Sequence, residues 1–475
     1  LNYIKKNYNK KYKKLANYKE YNFFTNNSEE FQFRTADTDW SLNFCSLLYE
    51  YLNEQEVKIK KINNYRADNF TDPLKTSNKT FSIFNLFNYF NSFFQSKNKY
   101  FISNTKLPFF LEKKLEVILK QIPSNYNQPK INYKEIDIKK REFFSFTDNK
   151  KKFSFDNFLT QNIKYFIPSS FVENFVEIKK ISESKIYPQN VNVIFTSYLY
   201  AYDEFFKVFA ASQTQKKAKY YIGQHGNNYF TQIHTNNLPE IKNCDKFFSW
   251  GHAKKPKVIG LFNFSTLKKK NSNNKKNKLT IILNHLYSHG NNLSFNKQNH
   301  IENILSIISI IKKLDKDIKK NTILRLSNSF YREFYGIRCI DFFKNIGVDI
   351  DPGSGNLKKI LSKTKLCLFN YDSTGFLDNT LQNIPTIVMC DKGFLNSIND
   401  EFVSKYQNLI SNKIIFEKKE DVINHINKNW HTVDTWWNNE KTKKAINSFN
   451  NNLNLNTHKE SILDLKNNLL MKTND

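Results

Sequence analysis

The strongest constraint on the fold of this chain is a regular alternation of strand and helix patterns after residue 278. Short apolar runs alternate there with longer segments whose apolar residues recur at helical spacing. The expected strands are 279–285, 322–326, 348–351, 365–371 and 386–390, and the expected helices are 301–318, 331–346, 357–362 and 376–383. This order predicts right-handed crossovers and a parallel, doubly wound sheet of the α/β class.

A shorter unit of the same kind comes earlier in the chain. Residues 191–198 form a β-branched and aromatic run, 203–217 carry apolar residues at helical spacing, and 218–222 are again extended. Between the two units, residues 266–278 have the most biased composition of the chain. They are mostly Lys and Asn, and Leu267 is their one large apolar residue. We therefore expect 266–278 to be a solvated linker between two domains.

Composition narrows the class of protein. The 475 residues include 44 Phe and 25 Tyr, so aromatic side chains must supply much of the buried core. The 73 Lys and Arg exceed the 44 Asp and Glu by 29, a balance often found in nucleic-acid-binding proteins. Only six of these cations are Arg, however, and Lys is abundant together with Asn, Ile, Phe and Tyr, which is typical of an AT-rich coding sequence. We therefore expect no specific nucleic-acid binding.

Cysteine spacing and the lack of targeting signals favour the cytoplasm. The five Cys are far apart and form no C-x-x-C pair, so neither a disulfide framework nor a thiolate zinc site is indicated. The longest apolar-rich run, 304–311, is far shorter than the roughly 18 to 20 residues that span a bilayer. The N-terminal residues 1–19 lack the apolar core of a secretory signal.

The first candidate site is the run GQHGNNY at 223–229, directly after an expected strand. In an open parallel sheet, ligands bind at the carboxyl ends of the strands. Gly226 would let the backbone approach a ligand, and His225 titrates near neutrality and can act as a general base. Gln224 and Asn227 would line the same loop. The alternative is a turn with a hydrogen-bonded histidine.

The second candidate site is the run NYDSTG at 370–375, which leads from a strand into a helix. Ser373, Thr374 and Gly375 would lie at the helix N-terminus, where backbone N–H groups and the helix dipole favour a phosphate. Asp378, one turn further, could reach a ribose hydroxyl. The alternative is an ordinary helix with Ser373 or Thr374 as its N-cap.

Three other residues are candidates for ligand binding. Arg325, at the end of an expected strand, could pair with a phosphate, or it could form a strand-end salt bridge. His285 and His289 have the i, i+4 spacing of helical metal ligands, but they span a strand and a loop. We therefore expect no metal site.

Taken together, these motifs carry a resemblance to known transferases. The strand, STG, helix and NIPTI order resembles the nucleotide-sugar-binding half of B-fold glycosyltransferases, in which two Rossmann-like domains face each other across a cleft. More specifically, the chain resembles a family of bacterial transferases of surface-polysaccharide and O-antigen biosynthesis. The pieces that carry this are IFTS at 194–197, DEFFK at 203–207, GQHG at 223–226, SWG at 249–251, RL at 325–326, the run 373–385, and WW at 436–437 with the amphipathic helix that follows.

The resemblance is loose over 31–470 and close over 191–389. This chain has Asn227 where the family commonly has a second glycine, and Asp378 where it typically has Glu. The resemblance implies two Rossmann-like domains with C-terminal helices. The expected divisions are a basic N-terminal arm at 1–30, an acceptor domain at 31–265, the linker at 266–278, a nucleotide-sugar domain at 279–420, and helices at 421–475 that pack back on the first domain.

The function that the resemblance implies is transfer of a sugar from a nucleotide-sugar donor to a surface glycan or lipid-linked glycan. We expect a metal-independent, inverting reaction without a cofactor, in a cytoplasmic protein peripheral to the inner membrane. His225 would be the base, with Glu240 as the next candidate. Arg325, Ser373, Thr374, Gly375 and Asp378 would bind the donor. Two alternatives stay open, namely transfer of a polyol phosphate such as glycerol phosphate, and a noncatalytic basic protein that binds nucleic acid or glycan.

Overall fold

The structure is a computed structural model, and it describes residues 13–16, 23–35, 38–52, 59–62, 97–144, 155–251, 255–265, 276–283, 297–327, 330, 340, 342–450 and 458–470. Contacts divide the chain into two compact units. The first unit comprises 1–87, 127–187 and 200–212, and the second comprises 88–126, 188–199 and 213–475. The second unit contains all strands of the two larger sheets.

The strands in chain order are β1 Lys13–Ala16, β2 Ile59–Ile62, β3 Tyr100–Ile102, β4 Val193–Thr196, β5 Lys219–Gly223, β6 Lys246–Ser249, β7 Val258–Gly260, β8 Lys278–Leu283, β9 Thr322–Leu326, β10 Asp349–Asp351, β11 Thr364–Phe369, β12 Thr386–Met389 and β13 Ile415–Phe416.

The α-helices in chain order are α1 Ser28–Thr35, α2 Thr38–Leu52, α3 Phe109–Ile118, α4 Ile138–Arg141, α5 Phe155–Phe166, α6 Phe175–Ser182, α7 Leu199–Tyr202, α8 Glu204–Gln215, α9 Pro239–Lys242, α10 Lys297–Lys313, α11 Lys316–Lys320, α12 Leu357–Leu361, α13 Thr374–Leu381, α14 Asp400–Ser411, α15 Lys419–Asn429, α16 Val433–Asn438, α17 Glu440–Asn450 and α18 His458–Leu470. Short 3₁₀ helices are Glu142–Phe144, Ser169–Phe171, Ile233–Thr235, Phe394–Ser397 and Trp430–Thr432.

The described residues of the first unit are mainly helical. Its small apolar core contains Phe23, Leu47 and Phe158, with Trp40 packed against them. A buried ion pair joins Arg141 on α4 to Glu173, with 2.7 Å between Nε and Oε1. Part of the expected N-terminal arm is therefore ordered structure, because burying Phe23 in this core fixes the chain that leads into α1.

The five-stranded sheet has the order β3-β4-β5-β6-β7, and all of its pairs are parallel. Every residue of β4 is buried, as expected for a central strand covered on both faces. Parallel pairing aligns the carboxyl ends of all five strands at one edge. The loop that carries His225 begins at that edge, directly after β5.

The six-stranded sheet is also parallel throughout, with the order β10-β9-β8-β11-β12-β13. Numbered by chain position, this is 3-2-1-4-5-6, the strand order of a dinucleotide-binding Rossmann sheet. The order reverses between β8 and β11, and ligands of such sheets bind outside the carboxyl ends at that reversal. The run NYDSTG begins at the carboxyl end of β11.

Side chains of β11 alternate between the two faces of the sheet, so this strand contributes to two apolar cores. Leu366 and Leu368 join an apolar cluster with isoleucines of α10, whereas Cys367 and Phe369 join a second cluster on the opposite face. The second cluster also includes Phe195 and other residues of the five-stranded sheet, and Ile462, Leu465 and Leu469 of α18. The α/β fold class with two Rossmann-like sheets and C-terminal helices is thus confirmed.

Two differences from the expected elements have local causes. The expected helix 301–318 is divided into α10 and α11, because Asp315 is extended (φ −58°, ψ 149°) at the N-cap position of α11. Strand β8 begins at Lys278, inside the expected linker. Residues 266–275 of that linker lie outside the described residues, as does most of the expected helix 331–346.

Gly223, the last residue of β5, provides a test of this packing. A Cβ at this position would lie 2.5 Å from Oγ of Ser197 and 2.6 Å from a ring carbon of Phe264. We expect Gly223→Ala to lower the melting temperature, by the equivalent of about 1–3 kcal/mol of overpacking. Gly355→Ala is the matched control, since its Cβ would make an ordinary 3.7 Å contact. Equal melting temperatures for the two variants in a thermal scan would contradict this packing.

Candidate active site

The loop after β5 is fixed by the side chain of Gln224. Its Nε2 donates to the carbonyl oxygen of Gly226 at 2.8 Å, and its Oε1 accepts from the backbone N–H of Trp250 at 2.8 Å. Gln224 is buried, so these bonds are shielded from water. The loop geometry next to His225 therefore depends on Gln224.

His225 contacts two tyrosines and lies near two groups of opposite charge. Its Nδ1 is 3.0 Å from the hydroxyl of Tyr229, and its ring lies 4.7 Å from the ring of Tyr198. The Lys106 amino group is 5.4 Å from the centre of the Tyr198 ring. Burial lowers the pKa of His225 to about 4, Lys106 acts in the same direction, and Glu240 opposes both. The imidazole is therefore neutral at pH 7.

Glu240 is linked to His225 through Tyr229. The Tyr229 hydroxyl donates a 2.6 Å hydrogen bond to Oε1 of Glu240, which lies in the first turn of α9. The two candidate bases are thus ends of one hydrogen-bonded chain.

Ser373 is the N-cap of α13. Its Oγ accepts from the backbone N–H of Phe376 at 3.0 Å, and its backbone is extended (φ −129°). Gly375 in the first turn is needed for packing, since a Cβ there would lie 2.8 Å from the Phe369 ring. The N–H groups of Thr374 and Gly375 lie too early in the helix to have an intrahelical acceptor. The helix end therefore retains donors and the positive end of its dipole.

The loops after β5 and β11 are hydrogen-bonded to each other. The backbone N–H of Asn227 donates to Oγ1 of Thr374 at 2.9 Å, and its side-chain amide donates to Oδ1 of Asp372 at 2.8 Å. The Asn228 amide donates to the Asp372 carbonyl oxygen at 3.4 Å. The carboxyl edges of the two sheets are therefore in direct contact at the two sequence-predicted runs.

Asp372 is a buried carboxyl group at the centre of this contact. Besides Asn227, it accepts a 2.7 Å hydrogen bond from the hydroxyl of Tyr406 on α14. Burial raises the pKa of Asp372 to about 6, and the two hydrogen bonds act in the opposite direction.

The remaining predicted residues have protein partners. Asp378 accepts 3.3 Å hydrogen bonds from the amide of Asn263 and the hydroxyl of Ser265. Arg325 lies 3.1 Å from Oδ1 of Asp351 and also donates to the carbonyl oxygens of Gly353 and Gly355.

Arg325 is not brought together with Ser373. It lies on β9, and β8 separates β9 from β11, so about 10 Å divides the two strands. Arg325 forms the strand-end salt bridge expected as the alternative to phosphate binding. Its contact with a phosphate stays a prediction. His285 and His289 lie outside the described residues.

Sequence reasoning missed several residues of this region. Tyr229 and Asp372 lie inside the two runs that were singled out, but nothing in the sequence indicated that they bond to Glu240 and Tyr406. Lys106 carries no sequence signal, because it is one of many lysines and becomes relevant only through the pairing of β3 with β4.

The described part of the chain has no group of three or more His, Cys, Asp or Glu placed to hold a metal ion. Within the same ranges, no helix has both the length and the apolar character needed to cross a bilayer.

The chain matches several solved structures at low sequence identity. Solved structures similar to this chain include a variant of the wall teichoic acid polymerase TagF soaked with CDPG, at 10% identity over 60% of this chain and 74% of that one, TM-score 0.34. S. aureus MnaA with UDP matches at 11% identity over 62% and 80%, TM-score 0.35. Anabaena HepE with UDP and glucose matches at 10% identity over 66% and 88%, TM-score 0.37. At these scores the likeness carries no inference about the site.

Comparison with curated proteins finds no match. A sequence profile described as LIC12162 family transferase matches residues 1–469, nearly the whole chain. The protein therefore belongs to the LIC12162 family of transferases.

Proposed function

We propose that this transferase is a glycosyltransferase that moves a sugar from a nucleotide-sugar donor to a hydroxyl of a glycan acceptor. One observation carries the proposal. The His225 loop of one Rossmann-like sheet and the N-terminus of α13 on the other are in hydrogen-bond contact, from the Asn227 N–H to Thr374 Oγ1 at 2.9 Å. A general base and a phosphate-binding helix end would thus act on opposite sides of one reacting centre.

The proposed step is a direct displacement. The acceptor hydroxyl oxygen forms a bond to the anomeric carbon of the sugar, and the bond from that carbon to the nucleotide phosphate breaks. The phosphate leaves with the electron pair, and His225 takes the proton of the hydroxyl. Attack from the face opposite the leaving group gives inversion of the anomeric configuration.

The helix end of α13 would hold the leaving phosphate. The N–H groups of Thr374 and Gly375 and the dipole of α13 favour the negative charge that grows there. In this proposal the helix supplies the stabilisation that a metal supplies elsewhere, so the reaction needs no metal. Asp378 keeps its proposed contact with the ribose, which requires exchange of its hydrogen bonds with Asn263 and Ser265.

A thermal-shift panel tests the donor class. CMP, CDP, UDP, GDP and their sugars are added to the whole protein, together with a nucleotide-linked polyol phosphate. A ligand that binds only the folded state raises the melting temperature. Stabilisation by a nucleotide sugar supports the proposal, whereas preference for the polyol-phosphate compound indicates the alternative transferase. No stabilisation, together with nucleic-acid binding that falls steeply with salt, would indicate a noncatalytic binding protein.

His225→Ala should separate catalysis from donor binding. A general base contributes about 100 to 10,000-fold, so we expect turnover to fall by that factor while nucleotide affinity stays nearly unchanged. Turnover and isothermal titration with the preferred nucleotide are the measurements. His234→Ala is the control, because His234 is exposed and lies in the same connection between β5 and β6. Full activity of His225→Ala would remove His225 from the mechanism.

The charge beside His225 gives a pH prediction. Lys106 lowers the pKa of His225, so Lys106→Asn should raise that pKa from about 4 towards the ordinary value of 6.5. Asparagine suits this site because Lys106 is left-handed (φ 64°). The measurement is an NMR titration of ¹⁵N-labelled histidines, with His225 assigned by its loss in His225→Ala.

Lys120→Asn is the matched control for Lys106→Asn. Lys120 is also left-handed (φ 59°) and lies after α3. The neighbouring Gln121 bonds to Tyr100 at the amino end of β3, whereas Lys106 follows the carboxyl end of that strand. A His225 pKa that is unchanged by Lys106→Asn, or changed equally by both variants, would contradict the assigned charge effect.

A further inference from the structure

Tyr229 lies between the candidate base and a carboxylate. Its hydroxyl oxygen is 3.0 Å from Nδ1 of His225 and 2.6 Å from Oε1 of Glu240. The three groups form a continuous chain that leads from the imidazole to a negative charge on α9. Serine proteases join a histidine to a carboxylate directly, whereas here a tyrosine stands between them.

The positions of the protons follow from counting donors. A tyrosine hydroxyl has one proton, and here it is donated to the carboxylate of Glu240, which can only accept. The tyrosine oxygen therefore meets His225 with a lone pair, so Nδ1 of His225 must carry the proton. Because a neutral imidazole has one N–H group, its lone pair is on Nε2.

We propose that Tyr229 and Glu240 are positioning residues that hold His225 in the tautomer protonated at Nδ1, so that Nε2 accepts the proton of the acceptor hydroxyl. This inference rests on the proposed function. The proton passes from the hydroxyl to Nε2 and no proton moves to Glu240. The imidazolium that forms is stabilised by the carboxylate through the Tyr229 hydroxyl.

The backbone on both sides of Tyr229 supports a positioning role. Asn228 (φ 75°) and Phe230 (φ 64°) are both left-handed, a conformation that is unfavourable for a bulky residue such as phenylalanine. The Thr235 hydroxyl holds this turn. Its oxygen accepts from the Phe230 N–H at 3.1 Å, and its one proton is shared between the carbonyl oxygens of Gln232 at 2.7 Å and Asn228 at 2.9 Å. Strain of this kind is concentrated at functional sites.

Packing fixes the ring of Tyr229 as well. It stacks on Phe247 of β6 with 5.3 Å between ring centres, and it meets the His225 ring edge-on at 5.3 Å. Removal of the hydroxyl alone should therefore leave the ring in place. Tyr229→Phe tests the hydrogen bonds without changing the packing.

We expect Tyr229→Phe to lower kcat by about 10–100-fold with KM nearly unchanged, a loss similar to that of other partners that orient a functional histidine. Nitrogen-15 NMR of the whole protein should show His225 protonated at Nδ1 in the parent and a mixture of tautomers in the variant. Tyr100→Phe is the matched control, because it removes a hydroxyl from the amino end of β3 on the same sheet. We expect it to retain the parental kcat and the parental His225 signals.

Glu240→Gln separates charge from hydrogen bonding. The amide oxygen of Gln can still accept from Tyr229, so we expect a smaller loss of kcat than for Tyr229→Phe. Glu240 raises the pKa of His225, so the acid limb of kcat/KM should move to lower pH in Glu240→Gln. The double variant should be little worse than Tyr229→Phe, because both changes interrupt the same chain.

The outcomes separate this inference from the proposed function. Parental kcat and a parental tautomer in Tyr229→Phe, beside an inactive His225→Ala, would overturn the positioning role and leave His225 as the base. A parent protein with His225 protonated at Nε2 would overturn it directly. Full activity of His225→Ala, beside a parent in which His225 is protonated at Nδ1, would instead remove His225 from the mechanism and the positioning role with it. Preference for the polyol-phosphate compound in the thermal-shift panel would overturn the proposed function and leave the tautomer of His225 unchanged.

Discussion

The contact between the loops after β5 and β11 is centred on the buried carboxyl group of Asp372. Its two oxygens accept from Tyr406 on α14 and from Asn227 of the other sheet's loop. Burial of a carboxylate is costly unless such bonds are made, and loss of one partner leaves an unsatisfied charge. Burial raises the pKa of Asp372 to about 6, and the two hydrogen bonds act in the opposite direction. Both loops are therefore tied to one buried carboxyl group, through Asn227 on one side and Asp372 itself on the other.

Under the proposed function, this contact bears on donor binding. The Asn227 N–H donates a hydrogen bond to Oγ1 of Thr374, at the helix end where the proposal places a phosphate. A glycine at position 227, as the resembling family commonly has, would lack the side-chain amide that reaches Asp372. In this chain, a donor phosphate at α13 must therefore accommodate or exchange hydrogen bonds that hold the two sheets together. Under the proposed function, Asn227 would therefore couple the donor site at α13 to the loop of His225.

Much of the fold followed from periodicity, whereas most of the site chemistry did not. Alternating strand and helix patterns predicted the second sheet and the helix that begins after Ser373, because strand and helix periodicity and helix caps are local properties of the sequence. Nothing local indicated that Glu240 would reach His225 through Tyr229. These hydrogen bonds depend on how the chain folds α9 back towards the loop after β5. Arg325 shows that a residue can be singled out while its partner cannot be predicted. A strand-end arginine has the same sequence signature whether it meets a phosphate or Asp351.

The low pKa of His225 is the result of burial and of two charges of opposite sign. Burial and the Lys106 cation both disfavour protonation, so the imidazole is neutral at pH 7 and has a low affinity for a proton. The carboxylate of Glu240 acts in the opposite direction and favours the imidazolium. Under the proposed function, His225 would gain affinity for the acceptor proton from Glu240, which reaches it through the hydroxyl of Tyr229. The same burial that lowers the pKa of His225 shields these hydrogen bonds from water and strengthens them.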